Sequence, residues 1–92
     1  MALFFEWDLK KAKSNVEKHQ ISFEEAATIF ADENALTIDD VTHSIIEKRE
    51  VTIGKSTNAH ILVVVHTYRG NTLRIISARK ANKKEKKQYE EY

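Results

Sequence analysis

Ile61-Leu62-Val63-Val64-Val65-His66-Thr67-Tyr68-Arg69-Gly70-Asn71-Thr72-Leu73-Arg74-Ile75-Ile76-Ser77-Ala78 is the stretch that sets the fold. Two runs dense in β-branched residues flank Gly70-Asn71, a two-residue turn of the kind that lets antiparallel strands pair directly. The strands expected are Ile61 to Arg69 and Leu73 to Ala78. That turn predicts Tyr68 opposite Leu73, His66 opposite Ile75 and Val64 opposite Ser77 on one face. The other face then holds Val63, Val65, Thr67 and Arg69 beside Arg74, Ile76 and Ala78. Simple alternation puts Arg79 with Ser77, on the face of His66 and Tyr68, and Arg74 on the opposite face.

Beyond the hairpin, a helix is expected from near Asn82, with Asn82 and Glu85 spaced to cap it. Its first turns hold Lys83, Lys84, Lys86 and Lys87. Cations at the positive end of a helix cost up to about 0.3–1 kcal/mol each. The cluster is therefore either a docking point for phosphate or carboxylate, or a solvated basic face. Upstream, Glu47 to Ile53 reads as a strand joined to the hairpin through Lys55–Ala59. Residues 34–39 read as another strand. Ser22-Phe23-Glu24-Glu25 is a capping box opening a helix whose inward face is Phe23, Ala26, Ala27 and Phe30. Asp8 caps an earlier helix over about residues 9–19, with Leu9, Ala12 and Val16 at helical spacing. Residues 3–7 read as a short opening strand. The expected fold is α+β: one domain over residues 1–92, a small antiparallel β-sheet with the N-terminal helices packed on one side, and a C-terminal helix.

Composition narrows the class. A chain of 92 residues supports one modest core. Cysteine is absent, which removes disulfides and thiolate metal sites and suits a reducing compartment. The run Ile61–Val65 is too short to span a bilayer, and no basic-then-apolar signal pattern opens the chain. The expectation is a cytoplasmic protein without membrane contact. Residues 1–40 carry four lysines and nine acids, and residues 41–92 carry eleven basic residues and five acids. The resulting charge dipole gives the C-terminal half a surface suited to nucleic acid or an acidic partner.

Phe5-Glu6-Trp7-Asp8, Asn15, Lys18-His19 and Ile21-Ser22-Phe23-Glu24-Glu25-Ala26 with Phe30 resemble the N-terminal half of the BrnT family. His43-Ser44 with Glu47 and Arg49, then Ile53-Gly54, continue the resemblance. Arg74-Ile75-Ile76-Ser77-Ala78-Arg79-Lys80-Ala81 with Glu85 and Tyr89 completes it and is its most specific part. One departure is Gln20, where such chains often place a helix-ending glycine. The resemblance implies a RelE-like fold and the toxin half of a type II toxin–antitoxin module, a ribonuclease that halts translation by cutting RNA. It implies a BrnA-type antitoxin, an assembly of two toxins with two antitoxins, and operator DNA reached only through the antitoxin.

Cutting RNA without a metal needs a base for the 2′-hydroxyl, an acid for the leaving oxygen and cations for the phosphorane. Arg79 is the leading candidate, at the junction of strand and basic helix; the alternative is a surface salt bridge. Free histidine titrates near neutrality, which makes His66 the natural proton carrier, or else it is a hydrogen-bonded core residue. Tyr68 either stacks a base or anchors the core. Glu47 and Arg49 alternate along one strand, as general base and phosphate clamp or as a structural pair. His43 lies just before them. Arg74 contacts RNA or the antitoxin. Lys80, Lys83, Lys84, Lys86 and Lys87 supply phosphate contacts. His19 and His60 look peripheral. The four histidines lack i, i+4 pairing and only Gly54 and Gly70 are available for a nucleotide loop, so neither metal nor cofactor is expected. A non-catalytic nucleic-acid-binding or interaction subunit of a repressor complex is the competing reading.

Overall fold

A computed structural model describes residues 3–40 and 47–91. The chain runs β1 (Phe4–Glu6), α1 (Leu9–His19), α2 (Phe23–Thr28), a 3₁₀ turn (Ile29–Ala31), β2 (Leu36–Asp39), β3 (Glu50–Lys55), β4 (Ile61–Arg69), β5 (Thr72–Lys80) and α3 (Lys83–Glu91). The five strands form one sheet in the order β1-β5-β4-β3-β2. Neighbours are antiparallel except β1 and β5, which are parallel, with Glu6 beside Arg74. The sheet is thus mixed. Strand patterns carry no orientation, and β1 finds its partner across most of the chain.

Helix caps follow their expected chemistry. Asp8 Oδ1 accepts from the amides of Lys10 and Lys11 at 2.8 and 3.1 Å. Gln20 ends α1 in the left-handed region at φ 56°, the conformation a glycine adopts without strain. Ser22 Oγ accepts from the Glu25 amide at 3.0 Å. Asn82 and Glu85 close a full capping box, with exchanged bonds of 3.0 and 2.9 Å.

The core lies between α1–α2 and one face of the sheet, built from Ile21, Phe23, Ala26, Ile29, Leu62, Val64, Leu73, Ile75 and Ala78. Phe5, Trp7, Ala12, Ala27 and Phe30 pack around it. A smaller cluster of Ile53, Val63 and Ala81, with Val51, Ile61 and Tyr89, lies on the opposite face of the sheet, beneath α3. In α1 the apolar spacing does not mark the buried face. Leu9 and Val16 are exposed, and the buried position is Asn15.

Asn15 reverses the usual rule for a core position because it completes the sheet. Its Nδ2 donates to the carbonyls of Ala78 at 2.7 Å and Ile21 at 2.9 Å, and its Oδ1 accepts from the Ala78 amide at 3.1 Å. β1 covers β5 only from Thr72 to Arg74. Past that point the edge of β5 would present bare polar groups, and the carboxamide serves as a one-residue strand.

The β4–β5 register departs from simple alternation. Tyr68 faces Leu73 and His66 faces Ile75 as expected, but Val65 pairs with Ser77, so Ile76 is an extra residue in a β-bulge. Val64 therefore faces Ala78 instead of Ser77, and Val63 faces Arg79. One inserted residue inverts the parity of everything beyond it. Arg79 leaves the face of His66 and joins Arg74, which sits opposite Thr67.

Replacing Asn15 with alanine should strand the Ala78 amide and two carbonyls. A loss of roughly 2–4 kcal/mol is expected, since unmet buried groups cost about 1–3 kcal/mol each. Calorimetry should show the melting temperature falling by roughly 10–25 °C for a domain of this size. An unchanged melting temperature would mean that this edge of β5 is satisfied by other means.

Candidate nucleic-acid interface and active site

Arg79 is positioned by α3. Its Nη1 and Nη2 donate to the two carboxylate oxygens of Glu85, both at 2.7 Å, in a bidentate pair. The same Glu85 Oε1 accepts from the Asn82 amide, so guanidinium and helix cap share one carboxylate. That pairing holds Arg79 above its ordinary value and Glu85 below its own, the mutual hydrogen bonds being the main cause in each. At the other end of α3, Tyr89 donates to Asp32 Oδ2 at 2.5 Å. This bond, with burial, pushes the phenol up to about 12. Both ends of the basic helix are therefore anchored, and its lysines project from a fixed rod.

On the same sheet face, Arg74 Nη1 donates to Glu6 Oε2 at 2.6 Å. Glu47 and Arg49 differ from expectation, because β3 begins only at Glu50 and both precede it. Their segment is held by Thr67, whose hydroxyl donates to the Lys48 carbonyl at 2.6 Å. Glu47 lies between two arginines, 4.0 Å from Arg49 Nε and 3.6 Å from Arg69 Nη2. Arg69, Arg74 and Arg79 thus share a face, each beside one carboxylate. Arg69 and Glu6 were not singled out from the sequence; strand parity with Thr67 carries the first, but nothing local carries the second.

His66 is on the other face and cannot join them. It is fully buried, with Nε2 2.7 Å from Thr52 Oγ, which in turn lies 2.7 Å from Thr37 Oγ. Phe30 and Tyr68 meet the imidazole edge-on at 4.9 and 5.8 Å. Its Nδ1 has no partner among the described residues. We assign the proton to Nε2, since an unmet lone pair costs less than an unmet N–H. Burial pushes this histidine down to about 4. It is a neutral core residue. Tyr68 is half exposed on this same face, so it too is separated from Arg79 by the sheet. His43 lies outside the described residues.

Lys80, Lys83, Lys84, Lys86 and Lys87 are all exposed. Lys87 approaches Glu91 at 3.9 Å. Among the described residues no group of three or more His, Asp or Glu side chains is placed to hold a metal.

The model of the family described as "Ribonuclease toxin, BrnT, of type II toxin-antitoxin system" matches residues 7–85. The chain belongs to the BrnT family of ribonuclease toxins. The crystal structure of the Brucella abortus ribonuclease toxin BrnT is similar in fold, with a TM-score of 0.70 over 89% of this chain and 100% of that one, at 22% identity. No protein of curated function matches. The part shared with BrnT toxins contains the arginine face and the Asn82–Glu85 cap but stops before Lys86 and Lys87.

His66 makes the stability of this BrnT chain depend on pH. Folded it titrates at about 4, against 6.5 for a free histidine, so the unfolded chain binds more protons between these values. Stability is therefore full above 6.5 and should fall by roughly 2–4 kcal/mol as pH drops to about 4. Urea unfolding of His66→Phe should lack this decline, while the loss at lower pH from Glu85 and Asp32, both held below the usual carboxylate range, persists. Parallel profiles for the two proteins would show that His66 does not titrate in this range.

Proposed function

We propose that this toxin cleaves RNA across the sheet face bearing Arg69, Arg74 and Arg79, without a metal. The bulge at Ile76 supports this reading above all, because it turns both β5 arginines to one side. Each guanidinium has five N–H donors and spends at most two on its carboxylate, which leaves a fixed fork for a phosphate. Glu6, Glu47 and Glu85 hold these forks in place before substrate arrives, so little ordering cost remains on binding. Arg74 and Arg79 hold phosphates of the bound strand along this face, Glu47 and Arg49 flank it, and Lys80, Lys83, Lys84 and Lys87 track the backbone.

A type II toxin has an antitoxin partner. The finer picture belongs to this proposal: a RelE-like toxin in the cytoplasm, neutralised by a BrnA-type antitoxin in a two-plus-two assembly that meets operator DNA through the antitoxin. Half-exposed Phe4 and Ile38 fall on the arginine face by strand register. A partner covering that face would gain apolar contact there and acid–arginine pairs beside it.

The test is incubation of the purified, antitoxin-free chain with end-labelled RNA in EDTA. Cleavage is expected, and Arg74→Ala or Arg79→Ala should slow it by about 10²-fold through lost positioning of the strand. RNA bound but left whole, in buffer and in a translation extract alike, would favour the non-catalytic binding subunit.

Neutralising Lys83, Lys84 and Lys87 together should lower the log–log salt slope of RNA binding by about 2, given roughly 0.7 per phosphate contact on single strands. An unchanged slope would assign the basic helix to the antitoxin.

A further inference from the structure

The arginine face holds no histidine among the described residues, yet a second cluster holds one in a form suited to proton transfer. Glu25 carries the capping-box position of α2, but its carboxylate does not return to the start of the helix. It reaches instead to the β3–β4 turn. Oε2 accepts from Ser56 Oγ at 2.6 Å and pairs with His60 Nδ1 at 2.7 Å. The Glu25 side chain is 11% exposed and that of His60 is 40% exposed. A nearly buried acid thus grips one nitrogen of a half-open imidazole. With Nδ1–H committed to the carboxylate, the lone pair of Nε2 points away from Glu25. Nε2 makes no hydrogen bond to the described residues.

His60 lines a cleft of about 280 Å³ with Ala59, Ile61, Lys80, Lys86 and Glu90. That is near the lower edge of ligand-binding clefts, which run about 300–1,000 Å³, and suits a phosphate with its sugar better than a whole nucleotide. Neither Lys80 nor Lys86 is in an ion pair with a described residue. Two lysines against Glu90 leave the cleft with a positive balance.

We propose that His60, oriented by Glu25, is a catalytic general base of the ribonuclease reaction, with Lys80 and Lys86 holding the scissile phosphate in this cleft. The assignment rests on the ribonuclease reading above and adds the proton carrier that reading lacks. His60 Nε2 takes the proton of the 2′-hydroxyl as the 2′-oxygen forms its bond to phosphorus. The bond from phosphorus to the 5′-oxygen breaks, its electron pair stays on that oxygen, and solvent supplies the proton. The products are a 2′,3′-cyclic phosphate and a 5′-hydroxyl, and the imidazolium returns its proton to water. Glu25 stabilises the imidazolium while it exists. Burial opposes ionisation of Glu25, but the Ser56 and His60 bonds outweigh it and hold the carboxyl below its ordinary range. It is therefore anionic when needed.

A clamp for the turn is the competing role of His60. Ser56 already serves it, since its hydroxyl binds Glu25 and accepts from the amides of Asn58 and His60 at 3.3 and 3.2 Å. A clamp also has no use for an Nε2 left unbonded by the described residues beside a lysine-lined cleft.

The experiment is steady-state cleavage of a labelled mixed-sequence RNA oligonucleotide by the purified full chain and by His60→Gln, from about pH 5 to 8. Expected is a fall in kcat of about 10²–10⁴-fold with KM changed by less than about threefold, and loss of the acidic limb of the pH profile. Glu25 pairs with the imidazole, Lys80, Lys86 and Glu90 line the same cleft, and all four remain in the variant, so a limb due to any of them would persist. Cleavage by both proteins with the same limb overturns the His60 assignment and leaves the ribonuclease reading intact. No cleavage by the wild type, in buffer and in a translation extract alike, overturns the ribonuclease reading itself. Should His60→Gln fail to fold, proton NMR of the wild type decides. Inorganic phosphate and a 2′-O-methyl form of the oligonucleotide are expected to move the His60 Cε1–H resonance and leave that of His66 in place. A stationary His60 resonance overturns the cleft as a phosphate site.

Discussion

The carboxamide of Asn15 is the contact on which the rest of the molecule depends. It satisfies both backbone groups of Ala78 and the carbonyl of Ile21, joining α1, the entry to α2 and the far half of β5. A buried polar group of this kind is costly unless every bond is met. Here the bonds are met only in one docking of helix on strand, so the same residue stabilises and specifies. Residues just past Ala78 inherit that precision, and they include Arg79 and Lys80.

From there the bulge at Ile76 governs which β5 side chains share a face. It separates a sealed face, where His66 is locked between Phe30, Tyr68 and Thr52, from a charged face where arginines sit beside carboxylates. α3 is bound down by Arg79–Glu85 at its start and Tyr89–Asp32 near its end. The lysines misplaced by helix-dipole reasoning are thereby kept at the positive end of a helix that cannot easily fray. The charges of this surface are thus already in place before anything binds to it.

Periodicity and caps were readable at residue level. Gly70-Asn71 placed the turn, Asp8, Ser22 and Asn82 placed helix starts, and the β-branched runs placed β4 and β5, because these depend on neighbours a few residues apart. The family was readable too, from Arg74–Ala81 and the Phe5–Asp8 and Ile21–Ala26 segments. The errors share one origin. The helical spacing of Leu9 and Val16 does not mark the buried face because that spacing is local, whereas the orientation of α1 is set by Asn15 meeting Ala78 across 63 positions. Glu25 looked like a cap and His60 peripheral, because their pairing spans 35 positions and no spacing rule reaches that far.

What the sequence determined by itself was the inventory of elements, the α+β class and the basic C-terminal half, all properties of composition and short-range pattern. The tertiary structure alone decided which side chains share a surface. One extra residue in β5 reverses parity, parallel pairing of β1 with β5 brings Glu6 to Arg74, and a turn packed on α2 brings His60 to Glu25. The physical reason is that a strand's faces alternate with every residue, so the composition of a site rests on register, and register is settled by long-range packing.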